Sequence, residues 1–201
     1  MKNKKIKWFI FTFLILTTFI TIISIYMTKK IKIGNTMSSQ EIVDKILNLN
    51  SYKAKIYVQI NSNKNQNKYI LEQEYNTENG NIQIVIEPEN IAGIKIYKKE
   101  NNLTIENSNL NLQTIFENYK GLEDNSLDLN TFVKEYKENS NSKYEEKNEE
   151  IIMKTKIENS KYLKNKILYI DKEKKIPTKL LIQDNNQNST VIIEYNEIEL
   201  N

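Results

Sequence analysis

Two pairs of neighbouring glutamates come closest to a catalytic pattern in this sequence. Glu145 and Glu146 are followed by Glu149 and Glu150, and paired carboxylates can supply the acid and the nucleophile of glycoside hydrolysis. Lysines flank the first pair, and the stretch is strongly polar, which is typical of a solvated turn. A carboxylate-based wall hydrolase is therefore the least supported of three functional hypotheses.

The other common catalytic groups are missing from the composition. The chain has no histidine and no cysteine, which excludes imidazole bases, thiolate nucleophiles and the usual zinc sites. The stretch Asp124–Asp128 lacks the ligand order of a calcium loop, and the four glycines form no phosphate-binding loop. We therefore predict no enzymatic activity, no catalytic, cofactor-binding or metal-binding residue, and no cofactor.

The basic residues are unevenly distributed along the chain. Seven of the 29 precede residue 33, where no acid occurs, so the remainder holds 22 lysines against 26 acidic residues. All basic residues are lysine, and arginine is the side chain best suited to phosphate groups and guanine edges. This excludes nucleic acid as a partner. The excess of Lys, Ile and Asn without Arg follows A/T-rich codons and indicates a low-GC bacterium.

The residues from Trp8 to Met27 form an uncharged run of 20, which as a helix spans about 30 Å, the thickness of a bilayer core. Lysines lie on both sides, and the slightly greater positive charge in front places the N-terminus inside the cell. We therefore predict an anchor over residues 1–32, a tether over 33–37, and an extracytoplasmic domain over 38–201 of a single-pass membrane protein.

A cleaved signal peptide is the alternative interpretation of the N-terminal segment. The apolar run is longer than a usual signal-peptide core, and no small-x-small cleavage site follows it. Both features favour an uncleaved signal-anchor. Without a cysteine, a lipid-modified N-terminus is excluded as well.

The first half of the domain begins with a helix and continues with strands. Ser38 to Glu41 has the spacing of a capping box, and apolar residues then recur at helical spacing as far as Asn50. From Tyr52, apolar and polar residues alternate as in half-buried strands. This alternation predicts five strands, around residues 52–61, 68–76, 82–88, 94–99 and 103–107.

The second half is predicted to contain two helices and five further strands. The first helix is indicated by four residues at helical spacing before Gly121: Leu112, Ile115, Phe116 and Tyr119. The second is indicated by the same spacing after the N-cap candidates Ser126 and Asp128: Leu129, Phe132, Val133 and Tyr136. Alternation then returns around residues 143–148, 150–158, 164–171, 178–183 and 190–200.

This order of elements favours an α+β fold with one long, curved antiparallel sheet, an incomplete β-barrel whose concave face is covered by helices. Two packed sheets with peripheral helices are the alternative, because the period of a strand does not identify its pairing partner. The candidate residues for lining an interior cavity are Ile56, Val58, Ile84 and Ile96.

Several short motifs in a fixed order carry a family resemblance. They are Ser51–Ala54 after an amphipathic helix, Ile86–Gly93, Tyr169–Asp171 and Ile176–Leu180. From residue 38 to residue 200 the chain resembles the LolA/LolB-like lipoprotein-carrier fold family, and within it the clostridial germination lipoproteins of the GerS type. The resemblance implies a half-barrel without catalytic activity.

Two hypotheses follow from the resemblance in addition to the hydrolase. The first is a membrane-anchored scaffold that binds an envelope protein and supports a cell-wall amidase of the spore cortex in sporulation or germination. The second is a carrier that holds lipid or lipoprotein acyl chains between sheet and helices. The chain departs from the lipoprotein members in lacking the lipid-modified cysteine, which its apolar N-terminal helix would replace.

Overall fold

The computed structural model describes residues 17–23, 37–62, 64–119, 127–157 and 160–201. The chain divides into two compact units, residues 1–38 and 39–201. In the first unit, residues 17–23 are helical and exposed. No helix within the described ranges is both long enough and apolar enough to span a bilayer. Most of the predicted span Trp8–Met27 and of the tether lies outside these ranges, so the anchor stays a prediction.

The second unit is an eleven-stranded antiparallel sheet with two α-helices and one short 3-10 helix, Glu89–Ile91. Helix α1 is Ser39–Leu47, and helix α2 is Leu129–Glu138. The strands between the helices are β1 Ser51–Asn61, β2 Gln66–Asn76, β3 Gly80–Glu87, β4 Ile94–Lys99, β5 Asn102–Asn107 and β6 Leu112–Phe116. The strands after α2 are β7 Lys143–Lys147, β8 Glu150–Lys156, β9 Leu163–Asp171, β10 Ile176–Asp184 and β11 Ser189–Leu200.

The sheet consists of two meanders joined at their long central strands. Its strand order is β6-β5-β4-β3-β2-β1-β11-β10-β9-β8-β7, so β1 pairs with β11 and brings Tyr52 opposite Leu200. Strands β6 and β7 lie at the two ends, and within the described ranges they do not pair with each other. This curved, open sheet confirms the prediction of one antiparallel sheet and excludes the two-sheet alternative.

The two helices cover one face of the sheet, which we call the inner face. On β1, alternate residues from Tyr52 to Val58 are buried, because the side chains of a strand point to opposite faces in turn. They pack with the apolar stripes of the helices, including Ile42 and Ile46 of α1 and Phe132 of α2, all at most 1% exposed. Burial of each such side chain contributes about 1.5–3 kcal/mol to the stability of the fold. The part of the inner face that the helices cover is therefore the core.

The helix predicted over Leu112–Tyr119 is wrong, because Leu112–Phe116 forms strand β6. Residues 108–111 make a turn, with Asn111 in the left-handed region at φ 50°. After this turn the chain runs back along β5, so that Leu112 lies opposite Asn107 and Phe116 opposite Leu103. Helical spacing over so short a stretch does not outweigh pairing with a neighbouring strand. Six strands therefore precede α2, rather than the predicted five.

Candidate protein-binding surface

A buried polar cluster ties the start of α2 to strands β1, β2 and β3. The Tyr52 hydroxyl accepts a hydrogen bond from the backbone N–H of Leu129 at 3.2 Å and donates one to Oε1 of Gln73 at 3.4 Å. Asp128 is the N-cap residue, as predicted, but its carboxylate accepts a hydrogen bond from Nε2 of Gln83 and makes no capping bond to the helix backbone. Side chains of three neighbouring strands therefore determine where the helix begins.

Burial is the main influence on the phenols of this cluster. It raises the pKa of the Tyr52 hydroxyl well above its usual value, and the negative charge of Asp128 raises it further. The pKa of Tyr195 is raised for the same two reasons. The Tyr195 hydroxyl is buried and has no hydrogen-bond partner in the described part of the protein. Both phenols therefore stay protonated in the folded state over the physiological range.

The middle and end of α2 contact the meander formed by β7 to β11. Nζ of Lys166 on β9 lies 2.6 Å from Oε1 of Glu135, and the lysine side chain is completely buried. Nδ2 of Asn139, just after the helix, donates to the carbonyl oxygen of Lys156 at 3.1 Å. These contacts place α2 over β8 and β9 as well as over β1 to β3.

The inner face of β4 to β6 is apolar but lies outside this core. Strand pairing places alternate residues of the three strands on that face. We call these apolar positions the wing: Ile94, Ile96, Leu103, Ile105, Leu112 and Phe116. Leu112 is 60% exposed, Phe116 is 43% exposed and the other four are half-buried. The buried apolar residues of the sheet belong to β1–β3 and β8–β11, so the wing is a continuous apolar surface that the described residues leave open.

The two edges of the sheet differ sharply in charge. Strand β6, with the sequence LQTIF, has no charged residue, whereas four of the five residues of β7, KYEEK, are charged. Charged side chains on an edge strand discourage pairing with another chain. The β7 edge is therefore protected, whereas the β6 edge, which continues the wing, carries no charge and pairs with no described strand on its outer side.

The structure separates the four residues predicted to line a cavity. Ile56 and Val58 are buried between the sheet and the helices, and Ile96 lies on the same face within the wing. Ile84 pairs with Glu72 and Lys95 on the opposite face, so its assignment to the interior is wrong. Alternation predicted the strand correctly, but the register of β3 turns its neighbours Gln83 and Val85 inward, which only pairing can decide.

The clustered glutamates lie on the β7–β8 hairpin and make surface ion pairs. Glu145 contacts Nζ of Lys154 at 2.6 Å, and Glu146 contacts Nζ of Lys172 at 2.6 Å. The hydrogen bond from each lysine lowers the pKa of its carboxyl group. A general acid at neutral pH needs a raised pKa instead, so these groups are poorly suited to glycoside hydrolysis.

The β6 edge and its part of the wing, Leu112 and Phe116, were missed in the sequence because these residues were assigned to a helix. A usable signal was present, since residues 107–116 contain no charge in a chain of which 27% is charged. A long uncharged stretch with exposed apolar residues is typical of an interaction site rather than a solvated helix.

A model of YdcC-like sporulation proteins matches residues 5–201. The chain belongs to the YdcC-like sporulation protein family. No curated protein matches it significantly. The YdcC-like assignment covers both the N-terminal segment and the whole sheet.

Solved structures similar to this YdcC-like chain share its fold. One is the complex of the CwlD amidase with the GerS lipoprotein from Clostridioides difficile, with a TM-score of 0.53 at 22% identity over 83% of this chain and 98% of that chain. A conserved protein from Thermus thermophilus has a TM-score of 0.53 at 11% identity, over 82% of this chain and 88% of that chain. The LolA superfamily protein NE2245 from Nitrosomonas europaea has a TM-score of 0.46 at 11% identity, over 82% of this chain and 94% of that chain. The TM-score of 0.53 to the complex that contains GerS confirms the predicted resemblance at the level of the fold.

Proposed function

We propose that this YdcC-like chain is a non-enzymatic scaffold of the cell envelope, which binds a protein partner through the wing and the β6 edge. Its N-terminal apolar segment holds it in the cell membrane, with residues 38–201 on the extracytoplasmic side. A cell-wall amidase is the partner class, because the solved complex with the same fold pairs an amidase with the GerS lipoprotein. Its role is in sporulation or germination, in line with the family.

The observation that carries this proposal is the uncharged β6 edge beside an apolar face that the described residues leave uncovered. A partner strand added to β6 would satisfy backbone N–H and C=O groups at the edge, and its apolar side chains would extend the wing. Leu112 and Phe116 point to the wing side, and Ile115 (58% exposed) lies on the opposite face. The same edge thus offers apolar contacts on both faces of an added strand.

Substitution Thr114→Lys tests the proposal at the centre of β6. Thr114 is exposed, so the change should alter the free energy of unfolding by no more than about 0.5 kcal/mol. A lysine in the pairing edge should weaken capture of the amidase encoded in the same genome by at least about tenfold, or about 1.4 kcal/mol. Lys147→Thr on the protected β7 edge is the matched control and should leave capture unchanged.

The experiment uses the full chain in detergent micelles, with the amidase as the soluble partner in a pull-down and in a titration. Equal binding by the native chain and the Thr114→Lys variant would contradict the β6 interface. Absence of binding to the amidase by the native chain would contradict the partner assignment.

The carrier of acyl chains is a second candidate, and the wing is the observation that favours it. An acyl chain laid along Ile96, Ile105 and Phe116 would cover apolar surface without requiring a partner strand. Native mass spectrometry of the full chain released from membranes distinguishes the two functions. A bound lipid mass that disappears with Ile105→Asp would favour the carrier, and amidase binding without lipid would favour the scaffold.

A further inference from the structure

A wide groove lies between the two helices and the turns at one end of strands β2 to β5. Its volume is about 930 Å³. Its walls are the end of α1, the β2–β3 turn, the β4–β5 turn and one side of α2. It is built from different residues than the wing and the β6 edge.

The lining of the groove is cationic although the domain is acidic. Four lysines line it, Lys98 and Lys99 from the end of β4 and Lys134 and Lys137 from α2, against two acids, Glu78 and Glu100. Residues 33–201 as a whole contain more acids than lysines. The lining of the groove therefore has the opposite sign of charge to residues 33–201 as a whole, which favours an anionic ligand.

Three of these lysines make no ion pair with another described residue. The ion pairs between described residues use Lys53, Lys154, Lys166 and Lys172, and none includes Lys98, Lys99 or Lys137. Surface lysines near acids often pair with them, so three unpaired lysines around one groove are an informative arrangement.

The backbone of the β2–β3 turn supports the position of the first two lysines. Gly80 has φ +81°, and a Cβ atom at this position would lie 2.3 Å from the carbonyl oxygen of Lys98. Glycine thus allows the turn to pack directly against the end of β4. Lys98 and Lys99 therefore lie at a closely packed junction rather than in a free loop, and Lys98 shares the inner face with Asn81.

The wall formed by α2 adds a hydrogen-bond acceptor. Asn130, Lys134 and Lys137 lie at helical spacing along the side of α2 that faces the groove. Oδ1 of Asn130 is buried and has no hydrogen-bond partner in the described protein. Buried acceptors are normally paired, so an N–H donor on a ligand would complete this position.

We propose that the groove binds an acidic peptide segment in extended form. The carboxylates would contact Lys98 and Lys137, and a backbone or side-chain amide N–H would donate to Oδ1 of Asn130. The seven helical steps from Asn130 to Lys137 span about 10 Å, which matches about three residues of an extended chain. An inorganic polyanion could satisfy the lysines but has no N–H group for Asn130.

The test measures binding of a fluorescein-labelled, capped hexaglutamate peptide to the full chain in detergent micelles by anisotropy, with capped hexaglutamine as the neutral probe. We expect the acidic peptide alone to bind, more weakly as salt is raised. The double variant Lys98→Ala/Lys137→Ala should weaken binding at least about tenfold. Lys68→Ala/Lys174→Ala, which removes the same charge from exposed sites elsewhere, should change it less than about twofold.

Asn130→Ala separates peptide recognition from simple charge attraction. We expect it to weaken binding of hexaglutamate and to leave binding of inorganic polyphosphate unchanged. Equal effects of the two double lysine variants, no binding of hexaglutamate, or indifference of hexaglutamate to Asn130→Ala would each overturn the proposal. Thr114→Lys should not affect the peptide, so failure of this site and failure of the β6 interface can be told apart.

Discussion

The completely buried ammonium group of Lys166 on β9 lies 2.6 Å from the carboxylate of Glu135 on α2. This ion pair crosses from the sheet to the helix that covers it, in the half of the inner face that forms the core. The Glu135 side chain is 18% exposed, so the carboxylate is less deeply buried than the ammonium group. Lys166 depends on the carboxylate for its charge to be tolerated, whereas the Glu135 side chain is still partly exposed.

Removal of the carboxylate should therefore cost more than removal of the lysine. Glu135→Gln removes the carboxylate charge that lies 2.6 Å from the buried ammonium, and we expect it to lower the free energy of unfolding by about 3–5 kcal/mol. Lys166→Met keeps an apolar stem of similar length in the core and should cost less. Urea unfolding of the full chain, followed by circular dichroism, measures both.

The exposed pair between Lys172 and Glu146 is the control for this comparison. Its side chains are 30% and 49% exposed, and Lys172→Met should change the free energy of unfolding by no more than about 1 kcal/mol. Equal costs for Glu135→Gln and Lys172→Met would show that burial of Lys166 has no energetic consequence.

The buried phenols of Tyr52 and Tyr195 predict a loss of stability at alkaline pH. The pKa of each is raised in the folded state, while the unfolded chain releases the proton near the ordinary tyrosine pKa of about 10. Above this pH the unfolded state binds fewer protons than the folded state, so the free energy of unfolding falls. The slope contributed by each tyrosine is at most about 1.4 kcal/mol per pH unit.

Unfolding measured at pH 9 and at pH 11 tests this prediction. Tyr195→Phe should reduce the alkaline loss and have little cost at neutral pH, because its hydroxyl has no hydrogen-bond partner among the described residues. Tyr52→Phe should also reduce the alkaline loss but lower stability at pH 7 by about 1 kcal/mol, since its hydrogen bonds to Gln73 and Leu129 are lost. An alkaline loss that neither variant changes would contradict the assignment.

Gly80 and Gly93 offer a matched pair of backbone tests. Both have φ above +80°, but a Cβ atom at Gly80 would lie 2.3 Å from a backbone oxygen, whereas at Gly93 the nearest atom is a side-chain nitrogen at 3.5 Å. Gly93→Ala should cost about 1 kcal/mol for the left-handed backbone. Gly80→Ala should cost at least about 2 kcal/mol, because the β2–β3 turn must also move away from Lys98.

Thermal unfolding of the two glycine variants measures the difference, and equal melting temperatures would contradict it. The Gly80 variant has a second expected effect. Because it displaces the end of β4, it should weaken binding of hexaglutamate in the groove, whereas Gly93→Ala should not.

The exposed apolar side chains of the wing should bind a hydrophobic dye. We expect the double variant Leu112→Ser/Phe116→Ser to reduce dye fluorescence while changing the free energy of unfolding by about 1 kcal/mol or less. Tyr162→Ser, at another exposed site (70% exposed), is the control and should leave the fluorescence unchanged. Undiminished fluorescence in the double variant would show that the dye binds elsewhere.

Sequence periodicity predicted the elements of the core accurately and those of the wing less well. The alternation from Tyr52 to Val58 and the helical spacing from Leu129 to Tyr136 are both confirmed. These two predictions are correct because a buried core requires apolar residues at one regular spacing along the whole helix or strand. The stretch from Leu112 to Phe116 has no buried face to impose such a period, and its strand exists through pairing with β5.

Neighbouring residues along the chain are sufficient to specify the antiparallel, helix-covered character of this protein, its lack of histidine and cysteine, and its uncharged N-terminal run. Period, composition and charge are local properties, so they can be taken from the sequence. The tertiary structure decided that β1 pairs with β11, that Ile84 faces outward, and that β6 is an open edge. These outcomes depend on pairing between segments up to about 150 residues apart, which no local pattern encodes.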